Sequence, residues 1–195
     1  MHLPESIRVQ FYKFLDGQIG LIEFENWIYA NETQIELALP EFHFELISFN
    51  YKQFDARDLF YKLIYYSIID QASYAQWQLE RLLTAIIRNE NWEAAVSTLY
   101  WDFWDDNARY SFLMQIADYS AVLIFPPERF GLTNLVGVKR EKVINRLLYP
   151  EIVKEAESIL KSIENNDIRI TGEKEYVDIR SKRKSNKTFQ QVLLE

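Results

Sequence analysis

Cysteine is absent from this chain of 195 residues, so no disulfide framework supports the fold and no thiolate is available for metal or nucleophilic chemistry. That suits a reducing compartment. Histidine occurs only as His2 and His43, which supplies a histidine-based metal or catalytic site poorly; His43, set between Phe42 and Phe44, reads as structural. The five glycines are scattered, whereas a phosphate-cradling loop needs them clustered, and no G-x-S-x-G turn presents a nucleophilic serine. No apolar run approaches the ~20 residues of a membrane span, and the longest candidate, Ser120 to Pro127, is far too short. The opening MHLPESIRVQFYKF lacks the continuous apolar core of a secretory signal. Together these absences predict a cytoplasmic protein with no cofactor, no metal and no membrane partner.

What is present is a core-forming composition. Hydrophobic residues make up 48% and aromatic residues 15%, which is globular and not disordered. With no linker before residue 165, the expectation is one α-helical domain over 1–164 and a C-terminal appendage over 165–195. Charge divides at the same place. Residues 1–164 hold 24 Asp/Glu against 15 Lys/Arg, a net of −9, and residues 165–195 hold 5 against 7, a net of +2. An acidic body repels nucleic acid and steers basic partners toward itself.

The densest block of paired signals is Phe11 to Glu32. Ile7, Phe11, Phe14 and Leu15 share one helical face, and Leu21, Phe24, Trp27 and Ile28 repeat the spacing after the Asp16-Gly17 punctuation. A helical hairpin follows, with helices over His2–Asp16 and Gly20–Asn31. Between Thr33 and Tyr51 the pattern fits a strand through Phe42, Phe44 and Leu46, or a helix through Leu39, Phe42, Leu46 and Phe49; Pro40, suited to a first turn, favours helix. Asp55 caps the next helix, which turns Leu59, Leu63 and Tyr66 inward with Phe60 and Ile64 widening the face. Further helices cover 73–88, 92–104 (capped by Asn91) and 108–123, the last broken by Pro126-Pro127; Pro150 opens another with Ile152, Ala156, Ile159, Leu160 and Ile163. After Asn165-Asn166, residues 168–179 read as a β-hairpin about Gly172 or a docked extended arm. The predicted class is mostly α, a multi-helix antiparallel bundle with a short C-terminal β-hairpin or extended arm.

Three patterns invite chemistry. Asp16-Gly17-Gln18-Ile19 with Glu23-Phe24 copies the second half of an EF-hand loop, but the register puts Tyr12 and Phe14 where carboxylates are needed, and a plain helical corner is preferred. Glu90/Glu93 and Asp102/Asp105 form E-x-x-E and D-x-x-D pairs of the kind that hold magnesium in all-α nucleotide hydrolases. On one helix the pairs would stand about 18 Å apart, too far for one metal cluster. The third pattern is Tyr100 to Asn107, YWDFWDDN. Trp101, Asp102, Trp104, Asp105 and Asp106 combine large aromatics with carboxylates, the composition of a binding hot spot for a basic partner; the alternative is that the acids cap a solvated helix end and both Trp residues pack under neighbouring helices. Acids at a helix end also oppose the macrodipole, which points to some use beyond stability. The basic run Arg180 to Lys187 lacks interleaved aromatics and reads as a solvated tail, so no direct nucleic-acid contact is expected.

The residues Phe14 to Tyr29, FLDGQIGLIEFENWIY, resemble the opening of small bacterial immunity proteins, which neutralise colicin-like or contact-delivered toxins; Phe14, Leu15, Ile19, Glu23 and Phe24 carry the match. The resemblance spans about twenty residues, and the chain is about twice as long as the colicin-type members. It implies a non-enzymatic, cofactor-free cytoplasmic protein that binds a basic partner, a toxin nuclease domain in the sharpest form, and covers its active site. The alternatives from other classes are an α-helical adaptor or regulatory module and a magnesium-dependent carboxylate hydrolase acting on nucleotides.

Overall fold

The computed structural model describes residues 3–101, 110–125 and 144–180. Those residues are mostly helical and end in a short two-stranded antiparallel hairpin, as expected. The chain forms two compact units, Met1–Trp77 and Gln78–Glu195, and the division falls within the helix Gln71–Ile87.

In the first unit, helices α1 (Glu5–Leu15) and α2 (Leu21–Ala30) make the predicted hairpin. Gly17 closes α1 at φ +73°, donating its amide to the Phe14 carbonyl at 3.1 Å, while Gln18 N–H reaches Lys13 O at 2.8 Å. This is a Schellman cap, which needs a left-handed residue after the helix. Asn89 and Asn166 take the same role at φ 58° and 60°, since asparagine tolerates the left-handed region best after glycine. Asn89 N–H meets Ile86 O at 3.1 Å and Glu90 N–H meets Ala85 O at 2.9 Å; the bonds of Asn166 and Asp167 to Ile163 and Ser162 repeat the pattern at 2.9 and 2.8 Å. A glycine-poor chain thus stops two of its helices with asparagine.

The hairpin's apolar faces meet in an aromatic core. Phe24, fully buried, stacks on Phe14 at 4.8 Å and meets Phe11 and Phe60 edge-on at 5.4 and 5.9 Å. Phe60 carries the cluster outward to Phe49 and Tyr51 at 4.7 and 5.0 Å. The segment after α2 is helical, in two pieces: α3 (Glu32–Ala38) and α4 (His43–Ser48). Pro40 departs from expectation, because it lies in the turn between them and not in a first helical turn. Lacking an N–H and crowding Leu39, it ends α3 one residue earlier.

The inward face of α5 (Ala56–Leu63) also differs from expectation. Ala56, Phe60, Ile64, Tyr65 and Ile68 are buried, while Leu59 and Tyr66 are exposed. Residues four apart drift around a helix of 3.6 residues per turn. Here the winding widens to a π-turn over Ile64–Ile68, closed by Ile69 N–H to Ile64 O at 3.1 Å, which turns the drift back and keeps the Phe60-Ile64-Ile68 series inward. Asp55 and Asn91 occupy the positions before α5 and α7, but neither side chain makes the expected capping bond.

In the second unit, the later part of α6 (Gln71–Ile87) buries Leu79, Leu82, Leu83 and Ile86, and α7 (Trp92–Thr98) buries Trp92 and Val96. A 3₁₀ turn (Ser111–Leu113) leads into α8 (Met114–Ile124), which stops before Pro126 with Phe125 extended. Helix α9 (Tyr149–Glu164) has Pro150 in its first turn and buries Ile152, Ala156, Ile159 and Ile163 at the predicted spacing. It packs on α8 and on β1 (Ile168–Gly172), which pairs with β2 (Glu175–Asp178). The hairpin is docked through Tyr110: its hydroxyl donates to Glu173 O at 3.0 Å, and its ring meets Tyr176 at 5.6 Å.

Replacing Phe24 with Ala removes the ring at the centre of the first unit and is expected to cost about 3–5 kcal/mol in chemical denaturation. An unchanged midpoint would show that the hairpin does not organise this unit. Tyr51 supplies a second test. Its hydroxyl donates to Leu46 O at 2.7 Å, and burial, reinforced by Tyr29 and Glu25, pushes the phenol well above its ordinary range. The folded state therefore holds this proton longer than the unfolded chain does. Its contribution is complete below about pH 10 and declines as pH rises above that value. Tyr51→Phe should lower neutral-pH stability by about 1 kcal/mol and make the alkaline decline shallower. Urea midpoints measured across the alkaline range will show both effects. Tyr12, also raised by burial, keeps the decline from vanishing.

Candidate functional site

Of the five residues expected to bind a partner, Trp101 is described, while Asp102, Trp104, Asp105 and Asp106 lie outside the described residues. Helical backbone continues past α7 through 99–101 in a wider π-type winding. Leu99 points into the core, and Trp101, two positions on, keeps 45% of its surface exposed. Its ring is held edge-on by Tyr100 at 5.0 Å and by Phe125 at 6.2 Å, with Tyr100 and Phe125 themselves 5.8 Å apart. Two rings, packed on each other, therefore hold one indole that is still half open to solvent. A rigid aromatic loses little entropy when a partner covers it, which is what an anchor needs.

The corner that imitates half an EF-hand is built otherwise. Tyr12 packs on Tyr74 and Trp77 at 5.2 and 5.5 Å, and Phe14 lies in the aromatic core, so both positions a calcium loop would give to oxygen ligands hold buried rings. Asp16 accepts a 2.8 Å bond from the Gln18 amide. Glu90 and Glu93 are exposed, and Asp105 joins Asp102 outside the described residues. Among the described residues, no group of three or more His, Cys, Asp or Glu could hold a metal ion. None of their helices is long and apolar enough to cross a membrane. His43 is half-buried, its Nε2 3.5 Å from Glu32 Oε1.

The first unit carries a feature that the periodicity did not flag. Ile22, Leu37 and Phe44 are 72%, 80% and 74% exposed, on α2, α3 and α4, which pack against one another. An open groove of about 280 Å³ lies between the start of α1 and α3, lined by Pro4, Ser6, Ile7, Gln34, Leu37 and Ala38. A signal existed in the sequence: Leu37 and Phe44 fall outside the helical series that contains the buried Leu39 and Leu46, so they are apolar residues without a core position.

No family model, no curated protein and no solved structure matches this chain.

Calcium should find no site at the Asp16–Glu23 corner. Calorimetric titration is expected to give no saturable heat; a micromolar isotherm abolished by Glu23→Gln would overturn this.

Proposed function

We propose that this chain is a binding protein for a basic protein partner, and in its specific form an immunity-type protein that covers the active site of a cognate bacterial toxin domain. The observation that carries the reading is Trp101, an indole held by two neighbouring rings yet 45% exposed, immediately ahead of the acidic run Asp102, Asp105 and Asp106. A nuclease active site must be cationic to hold phosphates, and an acidic surface with an aromatic anchor can occupy it as the substrate's charge would. The net charge of −9 over residues 1–164 adds long-range steering toward such a partner. Trp104 stands three residues beyond Trp101 and extends the same hot-spot composition.

The test is kinetic and functional together. A cationic nuclease domain recovered with the protein from its native host is purified, and its association with the protein is followed at rising salt. The on-rate should fall steeply once charges beyond ~10 Å are screened. Trp101→Ala should raise the off-rate about tenfold or more, whereas Asp102→Asn with Asp106→Asn should mainly slow association. Co-expression should restore growth to cells carrying the toxin. Binding without protection would make the protein an adaptor, and rates unchanged by either variant in a folded protein would place the interface elsewhere.

A further inference from the structure

We propose that Tyr66 is a site of oxidative modification: it ends a relay of tyrosine and tryptophan rings that carries an electron hole from Trp77 to the surface, where two chains join through a dityrosine bond. The relay lies wholly within the first unit and uses no residue near Trp101. Binding of a toxin, or its failure, leaves it untouched.

The rings are spaced for electron exchange. Trp77 stacks on Tyr74 at 6.3 Å and meets Tyr12 at 5.5 Å, and Tyr12 lies 5.2 Å from Tyr74. Tyr74 meets Tyr65 edge-on at 6.1 Å, and Tyr65 meets Tyr66 edge-on at 5.0 Å. These are centroid separations of rings in contact, so no step crosses more than a packed pair. The π-turn over Ile64–Ile68 makes the last step. Tyr65 and Tyr66 follow one another within it, yet Tyr65 is buried among the rings while Tyr66 is 70% exposed. Turns of this kind are frequent at functional sites.

Direction follows from where a proton can go. Losing one electron turns an indole or a phenol into a strongly acidic cation radical, and the hole settles where that proton is shed. Tyr12, Tyr65 and Tyr74 are buried, and burial holds the Tyr12 hydroxyl above its ordinary range, so proton release is disfavoured there. Tyr66 releases its proton to water. A neutral phenoxyl radical is also more stable than a neutral indolyl radical, so the hole runs from Trp77 to Tyr66 and not back. No thiol intercepts it, because the chain has no cysteine. The oxidant is a one-electron acceptor of the class of a peroxidase's high-valent haem or the azide radical. Each chain gives it one electron and gives water one proton. Two Tyr66 phenoxyls then form an ortho–ortho carbon–carbon bond, and the hydrogen on each coupled carbon moves to its oxygen, restoring both phenols.

The probe is the azide radical, made by pulse radiolysis of azide at neutral pH, which takes its electron from indole in preference to a protonated phenol. The full chain is exposed to it, dityrosine is read by its fluorescence, and the cross-linked residues are located by peptide mapping. Dimers joined at Tyr66 should form, and Tyr66→Phe should lose most of them. Tyr65→Phe and Trp77→Phe keep Tyr66 and its exposure but remove an oxidisable ring from the path, so each should lower the Tyr66 yield severalfold. Tyr29→Phe removes a phenol that is 46% exposed and outside the relay, and should leave that yield unchanged. Circular dichroism confirms that each variant folds. A Tyr66 yield unchanged by Tyr65→Phe or by Trp77→Phe would mean direct attack on an exposed ring and would overturn the relay. Dityrosine undiminished in Tyr66→Phe would overturn the site itself.

Discussion

Burial of the Phe24 ring is the contact on which the first unit depends. With no cysteine in the chain, cohesion there has to come from apolar contact, and Phe24 is where α1, α2 and α5 meet through Phe11, Phe14 and Phe60. Stacked and edge-on pairs add direction to a force that otherwise has none, so the aromatic geometry also fixes how the hairpin closes. The left-handed cap at Gly17 makes that closure possible, because it reverses the chain between Leu15 and Leu21 while pairing the helix-end carbonyls of Lys13 and Phe14.

The second unit solves a different problem: it holds a two-stranded hairpin, which is marginal by itself. Ile168 and Ile170 turn inward, β1 packs on α9, and the buried Tyr110 bonds the turn carbonyl of Glu173. The strands are therefore held by side chains from distant parts of the sequence, with Tyr176 paired to both Tyr110 and Phe112. Arg180, bonded to Asp178 and lying over the Phe112 ring, ends the described chain against the same anchor.

Against these closed cores, the exposed apolar residues have no folding role that accounts for them. A buried leucine or phenylalanine lowers the free energy of the fold, but Leu37 and Phe44 at 80% and 74% exposure contribute little of that kind. Their company is acidic, as is that of Trp101 in sequence. One-signed charge around exposed apolar groups keeps a protein from associating with itself while leaving it attractive to a partner of the opposite sign.

The sequence by itself determined the elements governed by local rules. The hairpin faces, the stop at Gly17, the helix after Pro150 and the strand pair about Gly172 are all set by spacing and by backbone preference within a few residues, and all appear as read. Helix was also correctly preferred to strand between 33 and 51. Only the tertiary structure decided which of two possible faces α5 buries, because Leu59-Leu63-Tyr66 and Phe60-Ile64 are equally apolar and the choice rests on where Phe24 lies. The π-turn at Ile64 is the backbone's answer to that choice, not a cause written into the residues around it. The same holds for the candidate surfaces. Composition alone marked Trp101 by its acidic neighbours, but that Leu37 borders an open groove follows from α3 lying beside the start of α1, a contact between segments some thirty residues apart that no local pattern encodes.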